Sequence, residues 1–331
     1  MKVLPLRNEQ LWTVAGARGG VLVVGSVTAD VTTFSDRLPG IGETVLGDDL
    51  TLVLGGKGAN QAVAAARAGV HSYFVGCVGS DVFQALVVEG LRGNGVDIGE
   101  VHVVDGATGV AHIRVDASGD NNIVIVPLAN SKLSEDHTDQ AIAKLKDRVS
   151  VMLTQLEIPA RIAMHAIRSA RSAGMTVILD PAPAVELDED IWQFVDIVTP
   201  NETEASRISG IAVVDADSGI AAARWFCDRG TNSAIVTLGS AGAVLVTRSE
   251  TAQFEAYPVD ALDTTAAGDA FAGYLGAALA DGAQIKDAVR RAMAAGALAV
   301  TKRGASPSLP MSADVDALLA SRISTSNRKD H

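Results

Sequence analysis

The feature that most constrains this chain is a regular alternation of short apolar runs with helical patterns. Val21-Leu-Val-Val24, closed by Gly25, is brief, largely β-branched and apolar at every position, as a strand buried on both faces must be. Similar runs stand at residues 72–75, 151–156, 176–179, 197–198 and 234–238. Between them, apolar residues recur at helical spacing over 60–68, 83–94, 136–146, 162–173, 202–209 and 220–229. Strand–helix–strand repeats of this kind fold as a mainly parallel sheet with helices wound on both faces. Hydrophobic residues make up 48% of the chain but aromatics only 4%, so the core is built from small side chains that let helices lie close to a sheet. The expectation is one doubly wound α/β domain over residues 20–320.

Two segments break the alternation. Residues 29–54 and 106–127 carry turn signals (Leu38-Pro-Gly40, Ser118-Gly-Asp120) and apolar–polar alternation in 110–115 and 123–126, which predicts antiparallel strands with one open face. Both leave the core at the carboxyl ends of early strands, where open α/β sheets bind ligands, so together they read as a small β-sheet lid. The C-terminal third is mostly helical, over 266–280 and 285–300. Residues 1–19 read as a loosely ordered extension without an apolar signal core, and 321–331 as a polar, flexible tail.

With 27 Lys and Arg against 39 Asp and Glu, the formal net charge is −12. Such a chain is a poor general binder of nucleic acid or of an anionic membrane, and no run reaches the ~18 apolar residues of a membrane span. A phosphate held here must be captured locally. Cys77 and Cys227, the two cysteines, show no metal-ligand spacing and read as free buried thiols of a cytoplasmic protein.

The strongest local signal is Asp263-Thr-Thr-Ala-Ala-Gly-Asp-Ala-Phe271. Ala266, Ala267 and Gly268 stand where a helix should begin. The first N–H groups of a helix lack internal partners and face the positive end of its dipole, so without bulky side chains they can close on an anion. Asp269, in the first turn, is then placed to take a proton from an attacking hydroxyl, or is simply a favourable acidic residue there. Gly55-Gly-Lys-Gly-Ala-Asn60 opens another helix. It matches neither the P-loop nor the dinucleotide fingerprint. What remains is a glycine turn open to a ligand, with Lys57 and Asn60 as polar hands, or a plain helix start. In Thr199-Pro-Asn-Glu-Thr-Glu204, Asn201 and Glu204 share a helix face suited to hydrated Mg²⁺, or form an N-cap with an acidic first turn. Asp30 and Glu157 each follow an apolar run and could hold sugar hydroxyls or cap loops.

These segments occur in order with Thr108-Gly-Val-Ala111, Gln155-Leu-Glu157, Asp180-Pro-Ala-Pro183, Thr237-Leu-Gly-Ser240 and Gly304-Ala-Ser-Pro-Ser308. From about Val21 to about Leu319 the chain thereby resembles the PfkB (ribokinase-like) family of carbohydrate kinases. The resemblance implies transfer of the ATP γ-phosphate to a pentose, D-ribose at O5, with Mg²⁺ and K⁺, and a homodimer formed by pairing lids. It implies Asp269 as base and Ala266, Ala267 and Gly268 as the anion hole. The sugar positions it implies are Thr28, Asp30, Gly55, Gly56, Lys57, Asn60 and Glu157. Asn201, Glu204, Thr237, Gly239, Ser240, Gly242, Gly268 and Met293 fall on the nucleotide side. Asp263, Thr265, Ala299, Lys302, Gly304 and Ser308 correspond to a monovalent-cation loop. Three residues depart from the family's habit: Thr28 replaces an Asn, Met293 a His and His112 a Leu. The alternatives are an acceptor such as 2-deoxyribose, another pentose, a polyol or a nucleoside, or a sugar-binding regulator without catalysis.

Overall fold

The computed structural model describes residues 19–326. The extension expected over 1–19 and the end of the tail, 327–331, lie outside the described residues, except Gly19. In chain order the strands are β1 (Gly20–Val24), β2 (Thr28–Phe34), β3 (Asp49–Gly55), β4 (Ser72–Gly79), β5 (Val96–Val104), β6 (Gly109–Val115), β7 (Asn121–Val126), β8 (Val149–Thr154), β9 (Thr176–Leu179), β10 (Ile197–Val198), β11 (Ser233–Thr237), β12 (Ala243–Thr247) and β13 (Thr251–Phe254). The helices are α1 (Lys57–Arg67), α2 (Gln84–Gly93), α3 (Glu135–Leu145), α4 (Ala160–Ser172), α5 (Glu202–Ser209), α6 (Ala216–Asp228), α7 (Ala267–Ala280), α8 (Ile285–Ala299) and α9 (Ser312–Ser326).

Nine strands form one sheet in the order β13-β12-β11-β10-β9-β8-β1-β4-β5. From β11 to β5 the pairing is parallel; β12 and β13 add an antiparallel edge. The expected doubly wound, mainly parallel fold is present. β1 shows why its sequence is apolar throughout: Val21 and Val23 enter the core on the side of α1, α7 and α8, Leu22 and Val24 the core on the side of α3, α4 and α6, as the two-residue period of a strand requires. The chain winds one way from β1 through β4 to β5 and the other way through β8 to β11. The crevice between β1 and β8 is therefore the topological switch point, where such sheets bind ligands.

The predicted lid is a four-stranded sheet, β3-β2-β6-β7. One expectation needs correction. β2 pairs antiparallel with β3 and β6 with β7, but β2 and β6 run parallel, because each enters the lid from the same edge of the core. Strands β5 and β13 were not foreseen, since the charged or polar residues of Val96–Val104 and Thr251–Phe254 blur the apolar signal at sheet edges; β12 was not foreseen either, although Ala243–Val246 is an unbroken apolar run. The tail is shorter than read: Ser321–Ser326 continue α9. Both cysteines are free, Cys77 buried and Cys227 only partly so. Among the described residues no helix is long and apolar enough to cross a membrane.

Candidate active site

Three elements meet at the switch point. The loop after β1 brings Ser26 and leads into β2, so that Asp30 sits in a lid strand rather than at the end of β1. The loop after β8 carries Glu157. Helix α1 lies against α7 so closely that a Cβ at Gly273 would fall 2.5 Å from the Ala64 Cβ. That approach puts Asn60 and Gln61 opposite Asp269.

The turn into α1 depends on glycine. Gly56 has φ 89°, and a Cβ there would come within 2.9 Å of the Val27 Cα; the left-handed backbone and the contact both demand the missing side chain. The resulting helix start delivers the Lys57 N–H to Glu157 Oε2 at 3.0 Å. The Ser26 hydroxyl donates to the same oxygen at 2.6 Å. Across the crevice the Thr28 hydroxyl donates to Asp30 Oδ1 at 2.6 Å. Burial pushes the Asp30 carboxyl up to about 6; the Thr28 hydrogen bond opposes the rise, and Glu157 and Asp269 add to it.

Asp269 is buried in the first turn of α7, 5% exposed. The Asn60 side-chain amide donates to its Oδ2 at 2.9 Å and the Gln61 amide to its Oδ1 at 3.2 Å. Burial raises its pKa, while Lys57 and these two amides pull the other way. Burial also works against the charge on Lys57, yet Asp269, Asp180, Glu157 and Glu204 outweigh it and hold the ammonium protonated. One cation thus serves four carboxylates.

The start of α7 is irregular. Ala266 adopts a left-handed conformation, φ 60° and ψ 12°, which costs an alanine about 1–2 kcal/mol and aims the backbone at the crevice. The Ala267 N–H closes a turn on the Thr264 carbonyl at 3.3 Å. A Cβ at Gly268 would meet nothing within 4 Å, so open space lies over the first turn. Behind it, Asp263 accepts from the Thr265 N–H at 2.9 Å and the Gly304 N–H at 2.8 Å. Burial opposes the Asp263 charge, but these bonds and Arg303 hold its pKa below the ordinary value. The carboxylate ties residues 263–265 to the segment after Ala299. Lys302 there is exposed, and the Ser308 hydroxyl is spent on the Ala305 carbonyl at 2.8 Å.

The nucleotide-side positions gather at the ends of β10 and β11. Asn201 caps α5: its Oδ1 accepts from the Glu204 N–H and Glu204 Oε2 accepts from the Asn201 N–H, each at 2.9 Å. Of the two sequence readings, the N-cap is the one this pair of bonds makes. The cap occupies the amide and one carboxylate oxygen, while the Glu204 charge still bears on Lys57 and Asp180. Thr237 bridges to Asn201, and the turn that follows is made by Gly239 (φ 51°) and Gly242 (φ 99°), with Ser240 exposed between them. Met293, on α8, lines a cavity of about 780 Å³ with Phe254, Tyr257 and Arg290, and the Phe254 carbonyl lies directly against Gly242 of that turn. His112 pairs with Val31, the neighbour of Asp30, so it faces away from the Asp30 side of the lid.

The motifs that include Gln155 and Asp180 carried no role for these residues in the sequence, and Ser26 and Gln61 lay outside the motifs altogether. Gln61 donates to Asp180 Oδ2 at 2.7 Å as well as to Asp269, and Gln155 donates to Gln61 Oε1. These contacts join positions 94 to 208 residues apart, so only the folded chain reveals them.

Residues 19–311 match the family described as pfkB family carbohydrate kinase. The ribokinase of Haemophilus influenzae is 38% identical over 294 residues, covering 88% of this chain and 96% of that protein. The deoxyribokinase of Salmonella typhi is 36% identical over 292 residues, covering 88% and 95%. The structure of Arabidopsis thaliana ribokinase complexed with ribose and ATP superposes with a TM-score of 0.85 at 33% identity, covering 91% of this chain and 98% of that one.

Proposed function

This chain belongs to the pfkB family of carbohydrate kinases, and we propose that it phosphorylates ribose at O5 with ATP, using Asp269 as the base. Asn60 carries the reading. Its amide nitrogen is committed to Asp269, while its Oδ1 is buried without a partner among the described residues. A buried acceptor left empty costs about 1–3 kcal/mol; a sugar hydroxyl donating to it would remove that cost and lie beside the base.

Asp30 and Glu157 flank the same space and accept further hydroxyls. Asp269 takes the O5 proton as O5 attacks the γ-phosphorus; the new O5–P bond forms and the bond to the β-phosphate oxygen breaks, releasing ADP. Lys57 and the backbone at Ala266, Ala267 and Gly268 stabilise charge on the transferring phosphoryl group. Lid closure excludes the water that would otherwise hydrolyse ATP. The turn Thr237–Gly242 holds the nucleotide, with Met293 on the wall of the adjoining cavity.

Among the described residues no group of three or more His, Cys, Asp or Glu is placed to hold a metal. That fits Mg²⁺ arriving on ATP, since a hydrated ion on phosphates needs only one or two carboxylates; Glu204, with one oxygen outside its cap, and Asn201 would receive it. Bound there, Mg²⁺ neutralises charge on the phosphates. The oxygen-only set around Asp263 suits a monovalent cation, held by Asp263 and by carbonyls of Thr265, Ala299, Lys302, Gly304 and Ser308, beside the anion site. The exposed apolar residues of the lid, including Leu50 at 58% and Val124 at 55%, support a homodimer through the lid; the free thiols Cys77 and Cys227 support a reducing compartment, the cytoplasm.

One observation favours 2-deoxyribose as a second reading. The Thr28 hydroxyl donates to Asp30, so its proton is spent inside the protein, where the family's usual Asn would offer a donor to the sugar. ADP release from Mg-ATP over ribose, 2-deoxyribose, arabinose, fructose and adenosine, with and without K⁺, tests the choice. Ribose is expected to turn over fastest, with K⁺ stimulation. A clear preference for 2-deoxyribose would overturn the acceptor, and no turnover on any sugar would overturn the kinase.

A further inference from the structure

Behind the base lies a chain of side chains that none of the substrate-facing roles uses. Gln61 and Gln155 are fully buried, and Asp180 is 6% exposed. The single Gln61 Nε2 donates to Asp180 Oδ2 at 2.7 Å and to Asp269 Oδ1 at 3.2 Å, while Gln61 Oε1 accepts from Gln155 Nε2. Both ends of the Gln61 amide are therefore fixed, and its hydrogens are aimed at two carboxyl groups from elements that the sequence separates widely. Asp269 is held on its other oxygen by Asn60. A buried amide in this position does not fill space cheaply: an apolar residue would pack without the cost of desolvating donor and acceptor. What it supplies is orientation.

We propose that Gln61 and Asp180 are positioning residues for the base: Asp180 fixes the Gln61 amide, and Gln61 fixes the Asp269 carboxylate with a lone pair toward the incoming hydroxyl. The inference rests on Asp269 acting as the base. A carboxylate free to rotate about its last bond presents the wrong lone pair part of the time. Asn60 alone pins one oxygen, and Asn60 must also receive the sugar. Gln61 is the partner that does not change hands during the reaction. Its bond also stabilises the ionised base, so removing it raises the Asp269 pKa. Asp180 acts here as an acceptor rather than as a charge. Burial raises its pKa, against the opposing pull of Lys57, and an asparagine there keeps an acceptor oxygen for the Gln61 amide.

The test is the pH profile of kcat and the sugar affinity of Gln61→Met, Asp180→Asn and Asp180→Leu, beside Asp269→Asn and the unaltered enzyme. Expected for Gln61→Met and Asp180→Leu is a fall in kcat of about 10–100-fold, sugar Kd within a few-fold, and an acid limb moved to higher pH. Asp180→Asn keeps the acceptor and is expected to retain kcat within a few-fold with its acid limb unmoved. Melting temperatures separate these effects from loss of folded protein, and Asp180→Asn, which preserves shape, keeps the test decisive if Gln61→Met fails to fold. An unmoved acid limb in both Gln61→Met and Asp180→Leu overturns the proposal, as does an Asp180→Asn variant as impaired as Asp180→Leu. Full turnover in Asp269→Asn would instead overturn the base itself.

Discussion

The core sheet and the lid sheet are made of similar strands but covered differently. β1 is buried at every residue, with helices on both faces. β7 has exposed residues at five of six positions, including Ile123, Val124, Ile125 and Val126. The site straddles the two. The proposed base Asp269, its amide partners and the proposed anion-binding backbone of α7 belong to the covered core; Asp30 belongs to the lid. Groups that must stabilise a transition state are held where rearrangement is expensive. Asp30, proposed to meet the sugar, is mounted on a sheet whose outer strand β7 is largely exposed.

The sharpest way to break the comparison on the core side is Gly268→Val. Since a Cβ there meets nothing within 4 Å, and Gly is about 1 kcal/mol worse than Ala inside a helix, adding a side chain should leave thermal stability unchanged or raised. The same side chain would occupy the space over the α7 amides. Turnover is expected to fall by about 10²-fold, with sugar binding intact. A variant as active as the parent would mean that phosphate is bound elsewhere and that the left-handed Ala266 has another purpose.

On the lid side the expected effect is about tenfold per pH unit. With its carboxyl raised to about 6, Asp30 is ionised above that pH and accepts sugar hydroxyls. Below it the proton must be displaced, so Kd for the sugar should rise about tenfold per unit as the pH falls further. Stability carries the opposite sign. The folded state holds a proton that the unfolded chain has released between about pH 4 and 6. The Asp30 contribution is therefore most favourable below that window and is lost as pH rises through it. Calorimetric titration and melts from pH 4.5 to 7.5 read both trends, and Asp30→Asn should flatten the first. Sugar affinity independent of pH in the unaltered enzyme would remove Asp30 from the site.

The same contrast explains what the sequence made legible. The core strands were readable because burial on both faces leaves an unbroken apolar run, as in Val21–Val24. β5 and β13 were not, because edge strands carry polar residues on their open sides. In the site, Asp269, Asn60 and Lys57 were legible because helix starts have local signatures. Gln61 and Asp180 had no legible role, since their contacts with each other and with Asp269 span 119 and 208 residues. The parallel pairing of β2 with β6 was hidden for the same reason: alternation reports a strand's faces, not its neighbour.

The smallest expected effect on turnover concerns the open surface of the lid. Register divides its residues cleanly. Asp30 pairs with Val53 and Ala111, and Ala111 with Ile125, so these share one side, that of Asp30; Val31 pairs with Leu52 and His112, and His112 with Val124, on the other. Exposed apolar residues occur on both, Ile125 at 47% and Leu52 at 40%. If lids pair, one side is buried against the partner, and a single carboxylate placed there must be desolvated or the pair must part. Leu52→Glu and Ile125→Glu, compared by size-exclusion chromatography with light scattering, identify the side: one should give monomers, with kcat within a few-fold of the parent because the base and anion site lie in the core. A parent that is already a monomer, or two variants that both remain dimers, would show that the lid's open surface is not where copies of this chain meet.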